Sequence, residues 1–293
     1  MTKKTLTDGA MILTAGLLSK SSWLVHGFST RKNGFSRVYG SWALNLGFTK
    51  QDSRSAVERN RHRFLQQLGA ITANHPWPLA TARQIHSDLI HNITTKPEQQ
   101  LTGDGLITAT AGILLAVQTA DCLPLILVDV SHRAVGVFHA GWRGTLKRIA
   151  EKGVGEMRRW FGTDPGDIKA AIGPGIHSCC YEVGEEVQEK FESQFAYAAD
   201  LFRTVKESDP IREKYPMLFL TARPPGHSRL PYKIFLNLVE ANRRQLLDVG
   251  VLPKNIAVSP LCTACHPDLL FSHRAEKGVT GRMMGVVGIR KEQ

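Results

Sequence analysis

Apolar runs bounded by turn residues alternate along the chain with longer segments of helical spacing. The runs predict strands, namely Trp23–Thr30, Leu79–His86, Leu106–Thr108, Ile113–Gln118, Thr119–Val130, Ala134–His139, Lys169–Ile172, Met217–Ala222, Ile256–Leu261 and Met283–Ile289. Apolar spacings of three and four residues predict helices, namely Ser53–Leu68, Thr145–Phe161, Glu185–Ala196 and Asn237–Val249. Because these elements mix without a regular βαβ rhythm or an internal repeat, we predict a single mixed α/β (α+β) domain.

The stretch Ala134–Gly144 is the first candidate for a functional site. An apolar strand ends in His139, the small residues Ala140-Gly141 form a turn, and Arg143 precedes a helical pattern. Such a strand can fix the histidine, while the free N–H groups of the helix start can hold an anion. The alternative is an ordinary strand–turn–helix connection with a surface arginine.

The composition is that of a soluble globular protein, with 42% hydrophobic and 22% charged residues among 293. A formal net charge of +11 indicates either an anionic partner or simply a basic surface. The basic residues occur singly or in doublets such as Arg158-Arg159, a distribution that does not favour nucleic acid as the partner. No run reaches about 18 apolar residues, so we expect no membrane span.

Cysteine usage indicates a reducing compartment. The chain has five cysteines, of which Cys179 and Cys180 are adjacent, and this odd number does not form a disulfide framework. The N-terminal segment has an apolar run but no clear cleavage site of the signal-peptide type. We therefore expect a cytoplasmic protein.

Three residues at predicted strand ends could share one reaction centre. His86, Cys122 and His139 match the ligand set of an open zinc site, in which three protein ligands leave one position for substrate. Alternatively, Cys122 is a nucleophile, His139 is its base, and Asp121 or Gln84 orients the histidine. A third interpretation is that the three residues are unrelated, since only the fold could bring them together.

Two other metal-binding patterns fit less well. The segment Cys262–His266 has the C-x-x-C-H spacing of haem attachment, but this would require an exported protein. Four-copper oxidases need several H-x-H pairs, and none occurs among the 11 histidines.

Several segments together resemble the YfiH/laccase-domain family, which is also called the polyphenol oxidase or purine nucleoside phosphorylase family. They include QIHS, TADCLPLIL, FHAGWRGT and IGPGIHSCCYEVGEEV, which begin at Gln84, Thr119, Phe138 and Ile172. The resemblance runs from about residue 23 to 290. It implies a single-domain layered α/β/β/α fold, with residues 1–22 as a partly ordered extension and residues 23–293 as the catalytic domain.

The resemblance also implies a reaction and a metal. His86, Cys122 and His139 take the positions of the family's metal ligands and catalytic residues. The implied metal is zinc, because a copper-containing laccase fits poorly with a site of one cysteine and two histidines. The implied activity is zinc-dependent phosphorolysis of adenosine, inosine, guanosine and methylthioadenosine, together with adenosine deamination. The partners are then a purine nucleoside and phosphate, without nucleic acid or membrane.

Four further residues are candidates for binding phosphate or substrate, since guanidinium, hydroxyl and amide groups donate hydrogen bonds to oxyanions. They are Arg31, Ser36, Asn45 and Arg143. The chain departs from the family pattern at Asn33, His273 and Ala275, and these departures concern the substrate preference that the resemblance implies rather than the metal site. The alternatives are a cysteine hydrolase or amidase acting on peptidoglycan precursors, a copper-dependent polyphenol oxidase, and a basic binding module without catalysis.

Overall fold

The computed structural model describes residues 2–5, 11–72, 75–206, 208, 210–218 and 231–291. Contacts divide the chain into two compact units, one made of Met1–Ile176 with Leu238–Gln293 and the other of His177–Asn237. The fold is mixed α/β, as predicted, and strands β1–β19 and helices α1–α6 are numbered in chain order below. The boundary expected at residue 22 stays a prediction.

The first sheet of the larger unit joins the early and late parts of the chain. Its six strands lie in the order β1 (Thr2–Thr5), β2 (Met11–Thr14), β3 (Leu24–Ser29), β19 (Met283–Ile289), β11 (Leu114–Thr119) and β6 (Leu79–Ala80). β19 is antiparallel to both neighbours, and its Gly285 pairs with Phe28 and Val117. Every residue of β3 and β19 is buried, which explains why both read as continuous apolar runs.

The second sheet contains the strand that carries His139. Its order is β18 (Ile256–Val258), β14 (Ile168–Ile172), β12 (Leu123–Asp129), β13 (Ala134–Ala140), β10 (Gly105–Thr108) and β8 (Ile90–Asn92). β12 and β13 form an antiparallel hairpin in which Pro124 pairs with His139. Two short pairs complete the larger unit, β4 (Ile71–Thr72) with β5 (His75–Pro76) and β7 (Ala82–Arg83) with β9 (Leu101–Thr102).

The main core lies between the two sheets. Val117 and Val287 of the first sheet share one apolar cluster with Ile126 and Val137 of the second. Their neighbours in sequence, Ala116 and Val286, belong to a different cluster, because successive side chains of a strand point to opposite faces.

Helices cover the outer faces of both sheets, as the α/β/β/α expectation requires. α1 (Arg54–Leu68) places Phe64 in the cluster of Ala116, and α3 (Ile149–Phe161) places Gly153 against Phe138 of β13. The larger unit also contains α2 (Trp142–Leu146) and α6 (Leu238–Asp248). Pro165–Asp167 and Pro253–Asn255 are short 3-10 helices. No helix in the described part of the chain has the length and apolarity that a membrane crossing needs.

The smaller unit is built around one short sheet. Its order is β15 (Glu182–Val183), β17 (Tyr232–Leu236) and β16 (Phe202–Lys206), and it also contains α4 (Glu185–Glu192), the 3-10 helix Ala198–Leu201 and α5 (Pro210–Lys214). Phe191 of α4 lies edge-to-face against Phe202, with ring centroids 5.8 Å apart.

The structure corrects two of the predicted elements near the candidate site. The helix expected over Thr145–Phe161 is two helices, because α2 begins at Trp142 and Arg148, with a φ of 64°, interrupts the chain before α3. The strand expected over Leu79–His86 is also divided. β6 pairs with β11, whereas β7 pairs with β9 in a separate ladder.

In the smaller unit three predictions were wrong in extent or type. The helix expected to reach Ala196 ends at Glu192, and the loop expected over Asp209–Pro216 contains α5. The strand expected over Met217–Ala222 does not include Met217 or Leu218, and its residues 219–222 lie outside the described residues. β16 was missed because four of its five residues are exposed, so the strand carries no apolar pattern.

Protonation of His26 is expected to weaken the fold in acid. Its Nε2 atom accepts a hydrogen bond from the Ala15 N–H at 3.2 Å, and burial lowers the pKa of His26 from 6.5 to about 4. The unfolded chain then binds a proton that the folded chain excludes, so stability is lost as the pH falls from 6.5 to 4. The free energy of unfolding should fall by about 3 kcal/mol. Urea unfolding across this range should show a smaller pH dependence for His26→Gln, and an unchanged one would contradict the assignment.

Candidate functional site

The fold brings His86, Cys122 and His139 together from three separate parts of the chain. Their ligand atoms all lie within 4.8 Å of one another, and Cys122 Sγ is 3.9 Å from His86 Nε2. The two imidazole rings have centroids 4.9 Å apart at an interplanar angle of 69°. His139 is buried, whereas His86 and Cys122 are partly exposed. A small ligand can therefore reach the three donors from the side of His86 and Cys122.

Asp104 orients His139. The Nδ1 atom of His139 lies 2.8 Å from Asp104 Oδ1, and the backbone N–H of His139 donates to the Asp104 carbonyl at 2.7 Å. With Nδ1 donating to the carboxylate, Nε2 is the ring nitrogen that remains for a metal or a proton. Sequence reasoning missed this role, although Asp104 lies in the turn Gly103-Asp104-Gly105 directly before β10.

The Asp104 carboxylate also holds the loop that carries His86. It accepts hydrogen bonds from the backbone N–H groups of Ile85, His86 and Ser87 at 3.1, 3.0 and 2.6 Å, and from the Ser87 hydroxyl at 2.7 Å. Burial raises the pKa of Asp104, but hydrogen bonds from His139 and Ser87 outweigh it and hold that pKa well below its usual range. One ionised carboxylate therefore fixes both histidines.

The backbone at His86 is strained. Its φ of 58° lies in the left-handed region, which residues with a Cβ seldom adopt. Such a conformation persists only where the surroundings impose it, and here the three consecutive N–H contacts to Asp104 do so. By imposing this backbone conformation, Asp104 also fixes the direction in which the His86 side chain projects from the loop.

The two residues proposed as alternative orienters of His139 have other roles. Asp121, at a φ of 90°, accepts hydrogen bonds from Thr263 Oγ1 at 2.6 Å and Ser272 Oγ at 2.7 Å. Gln84 exchanges two hydrogen bonds of 2.8 Å with the backbone of Gln118. Asp121 thus anchors later loops beside Cys122, and Gln84 ties the His86 loop to β11.

The thiol of Cys122 and the imidazole of His139 form a coupled pair. Burial raises the pKa of the Cys122 thiol, but the charge of His139 and hydrogen bonds from His139 and His86 outweigh it and lower that pKa to about 6. Burial lowers the pKa of His139, whereas Cys122 and Asp104 raise it to about 9. A thiolate beside an imidazolium is thus the favoured state at neutral pH, and thiolate is the form that binds metal or attacks carbon.

Close packing around the three donors requires glycine at position 141. A Cβ at this position would lie 2.9 Å from Cys122 Sγ and 2.9 Å from His86 Cδ2. Gly141 directly precedes α2, so the small-residue turn recognised in the sequence is the floor of the site.

Gly141→Ala is expected to displace the ligands. The added methyl group should cost about 1–3 kcal/mol of stability and reduce metal affinity by about ten-fold or more. Gly155→Ala is the matched control, because a Cβ there meets nothing within 4 Å on helix α3. That control should gain up to about 1 kcal/mol. Metal affinity is measured by competition with a chromophoric chelator. Equal affinity in both variants would contradict the close approach of Gly141 to Cys122 and His86.

The structure places Arg143 at the surface of α2. The residue is exposed, and its guanidinium carbon lies 4.3 Å from the centroid of the Trp142 ring. This cation–π contact holds the charge at the start of α2, two residues after Gly141.

The remaining phosphate candidates occupy other hydrogen-bond networks. Arg31 donates to the carbonyls of Pro267 and Tyr39 at 2.6 and 2.5 Å and lies 3.1 Å from Glu276. Ser36 and Asn45 are fully buried and both donate to the carboxylate of Asp52, at 2.5 and 2.8 Å. Direct contact of Ser36 or Asn45 with phosphate would require these bonds to break, and their role there stays a prediction.

The donor set of His86, Cys122 and His139 fits a single zinc ion. Zinc binds imidazole nitrogen at about 2.0 Å and thiolate sulfur at about 2.3 Å, so two such ligands in a tetrahedral site lie about 3.6 Å apart. The 3.9 Å between Cys122 Sγ and His86 Nε2 requires only a small adjustment. Three donors leave one position open, as in catalytic zinc sites.

The chain is similar to known proteins over most of its length. The family described as "Multi-copper polyphenol oxidoreductase laccase" matches residues 25–290. A Geobacillus stearothermophilus protein named purine nucleoside phosphorylase YlmD is 35% identical over 281 residues, which are 92% of this chain and 91% of that protein. A Deinococcus radiodurans protein named purine nucleoside phosphorylase is 35% identical over 269 residues, covering 92% of this chain and 90% of the other.

Solved structures share the fold along the whole chain. The crystal structure of the Bacillus licheniformis protein YfiH superposes with a TM-score of 0.79 at 30% identity and covers 98% of this chain and 99% of its own. The crystal structure of YlmD from Geobacillus stearothermophilus has a TM-score of 0.77 at 32% identity and covers 99% of both chains. The family resemblance and the fold class inferred from the sequence are therefore confirmed.

Proposed function

The chain belongs to the YfiH/laccase-domain family, and on that basis we propose that it is a zinc-dependent purine nucleoside phosphorylase. The observation that carries the proposal is the group of His86, Cys122 and His139, whose ligand atoms lie within 4.8 Å. The two relatives named purine nucleoside phosphorylase support the reaction class. Three donors with one open position match a catalytic zinc site, whereas a four-copper oxidase needs H-x-H pairs that the sequence does not contain.

Phosphorolysis breaks the bond between the anomeric carbon of the ribose and the base nitrogen. A phosphate oxygen forms the new bond to that carbon, and the purine leaves with the electron pair and takes up a proton. Zinc, when bound to His86, Cys122 and His139, supplies a Lewis acid at this centre. Asp104 keeps the proton of His139 on Nδ1 and so keeps Nε2 available.

Arg143 is the candidate of first choice for holding phosphate. Its exposed guanidinium group stands near the turn that carries Gly141, so it can meet an anion without first breaking a hydrogen bond to Asp52, as Ser36 and Asn45 would have to do. A planar guanidinium pairs with two phosphate oxygens at once. Arg31, Ser36 and Asn45 then act by holding the loop from residue 31 to 45 in place. Adenosine deamination, in which water replaces the amino group at C6, belongs to the same proposed site.

The test combines metal analysis with phosphate dependence. Protein purified without added metal should contain about one zinc per chain by elemental analysis. Inosine and adenosine should be converted to free base and ribose 1-phosphate only when phosphate is present. Removal of the metal by a chelator should abolish the activity, and zinc should restore it. Base release that continues unchanged in metal-free protein would overturn the proposal.

A cysteine hydrolase is the second candidate, and the Asp104–His139–Cys122 arrangement favours it. The carboxylate orients the imidazole at 2.8 Å, and the imidazole adjoins a thiol whose pKa is lowered to about 6. This is the order of groups that activates a nucleophilic cysteine. The metal-free protein discriminates between the two candidates, because a hydrolase should stay active without zinc and lose its activity when a thiol reagent alkylates Cys122.

A further inference from the structure

We propose that a second surface of the larger unit binds single-stranded nucleic acid. Arginine guanidinium groups cover three aromatic rings in this region, those of Phe35, Trp42 and Phe48. Phe35 and Trp42 line one groove together with Arg37 and Arg59, and we call these two rings with Arg37, Arg59 and Arg63 the arginine–aromatic surface. It shares no residue with the group of His86, Cys122 and His139 and does not depend on the proposed function.

Helical spacing on α1 produces the pattern around two of the rings. Arg59 and Arg63, one turn apart, lie 4.8 and 5.4 Å from the centroid of Phe35. Arg54 and Arg61, two turns apart, lie 5.3 and 4.3 Å from the centroid of Phe48. Residues at these spacings share one face of a helix. At 100° per residue the two pairs lie on opposite flanks of α1, so Arg59 and Arg63 cover Phe35 on one flank, and Arg54 and Arg61 cover Phe48 on the other.

A buried side chain fixes the loop that supplies the rings. Asn60 of α1 is fully buried, and its Oδ1 atom accepts the backbone N–H of Phe35 at 2.6 Å. Its Nδ2 atom donates to Ser36 Oγ at 2.9 Å and to the Asn45 carbonyl at 2.8 Å. The loop is thus attached to the helix at both ends, so a ligand would meet a surface that is already ordered.

The backbone of Trp42 is strained, although its side chain is not buried. It is 55% exposed, and its φ of 60° is a strained value for an aromatic residue. Arg37 lies 5.2 Å from its ring centroid. Strained, exposed aromatic residues are found where a ligand is held. Trp42 therefore exposes its ring, with the Arg37 guanidinium group over it, to solvent.

The charge of the surface suits a polyanion. Its three arginines lie near two carboxylates, and both carboxylates are engaged, Asp52 with Ser36 and Asn45, and Glu58 with Arg54 at 2.8 Å. Within the described residues, Arg37 and Arg59 form no ion pair. These two guanidinium groups are therefore available for phosphate oxygens.

The shape of the surface favours a nucleic acid strand over a lipid bilayer. Two grooves of about 590 and 610 Å³ meet here, and both are lined by Phe35 and Arg59. A flat bilayer cannot enter grooves of this kind. A flexible strand can place phosphates on the arginines and stack its bases on rings and guanidinium planes without sequence preference.

The chain positions explain why the sequence did not indicate this partner. The arginines at 37, 59 and 63 occur singly and read as scattered basic positions. Only the packing of the loop against α1 collects them into one surface.

Binding can be measured by fluorescence anisotropy with labelled oligo(dT) of about twelve nucleotides, within the range of single-strand sites. The full-length protein should bind this probe at least about ten-fold more tightly than a duplex of equal length, because only unpaired bases offer stacking faces. The R37A/R59A variant should lower the slope of log K against log salt by about 1.4, or about 0.7 for each lost phosphate contact. Trp42→Ala should weaken binding by roughly 5- to 150-fold with little change in that slope.

The control R158A/R159A removes two exposed arginines from α3 and should keep the affinity of the unmodified chain. Thermal unfolding establishes that each variant is folded, and nucleoside phosphorolysis should be equal in all of them. The proposal is overturned by any of three results: equal affinity for duplex and single strand, equal loss in the α3 control, or adsorption to phosphatidylglycerol vesicles without oligo(dT) binding. The proposed phosphorylase activity can be absent without changing any of these binding results, so the two proposals are tested separately.

Discussion

Replacing Cys122 by alanine is expected to remove both the metal and the activity. The variant should retain much less than one zinc per chain, because the two imidazoles of His86 and His139 that remain are too few to hold a structured zinc site. Phosphorolysis should fall by about a thousand-fold or more, the size of effect that follows loss of a principal electrostatic stabiliser. Elemental analysis and initial rates with saturating phosphate measure the two effects.

The matched control is Thr95→Ala, which shortens an exposed side chain. It should keep the zinc content and rate of the unmodified protein. Zinc content maintained in Cys122→Ala, with activity lost, would favour a nucleophilic role of the thiol. Activity maintained in Cys122→Ala would contradict both the zinc and the nucleophile assignments.

Asp104→Asn is expected to be the most destabilising conservative change near the site. The carboxylate accepts from Ile85, His86, Ser87 and His139, and an amide turns one of its two acceptor atoms into a donor. Buried donors on that side would then lose their partner, at a cost of about 3–5 kcal/mol in the free energy of unfolding. Zinc affinity should fall by about 10- to 100-fold, because the orientation of His139 is lost.

Asp129→Asn separates these two effects. Asp129 is also fully buried and accepts hydrogen bonds from Ser131 and His132, but it lies at the far end of β12 from Cys122. This variant should lose stability and keep its zinc affinity. If urea unfolding and metal competition showed the same pattern for both variants, Asp104 would be a structural residue only.

The fold was most predictable where burial is continuous. β12, β13 and β19 have no exposed position, so their sequences are mostly apolar, and Ser53, where the predicted helix begins, caps α1. The predictions failed for elements whose structure depends on the strand they pair with or on the conformation of a single residue. β16 is a mostly exposed strand paired with β17, and α2 is separated from α3 by the left-handed Arg148. A one-dimensional hydrophobic pattern contains neither kind of information.

The residues of the candidate site also differ in whether the sequence could identify them. His86, Cys122 and His139 could be identified by their chemistry and by the family resemblance. Asp104 could not, because an aspartate between two glycines is the ordinary composition of a turn. Its role depends on β10 bringing it beside β13, where its main-chain carbonyl and its carboxylate both bind His139.

The position of β19 in the first sheet affects how the chain can be assembled. β3 lies between β2 and β19, yet residues 24–29 must wait for residues 283–289 before this central pairing can form. During synthesis one edge of β3 therefore stays unpaired while more than 250 residues are added. Long-range pairing of this kind slows folding and exposes strand edges to other chains. The hairpin of β12 and β13, whose partners are close in sequence, can form long before. The strands that carry the site can thus be in place before the sheet beneath them is complete.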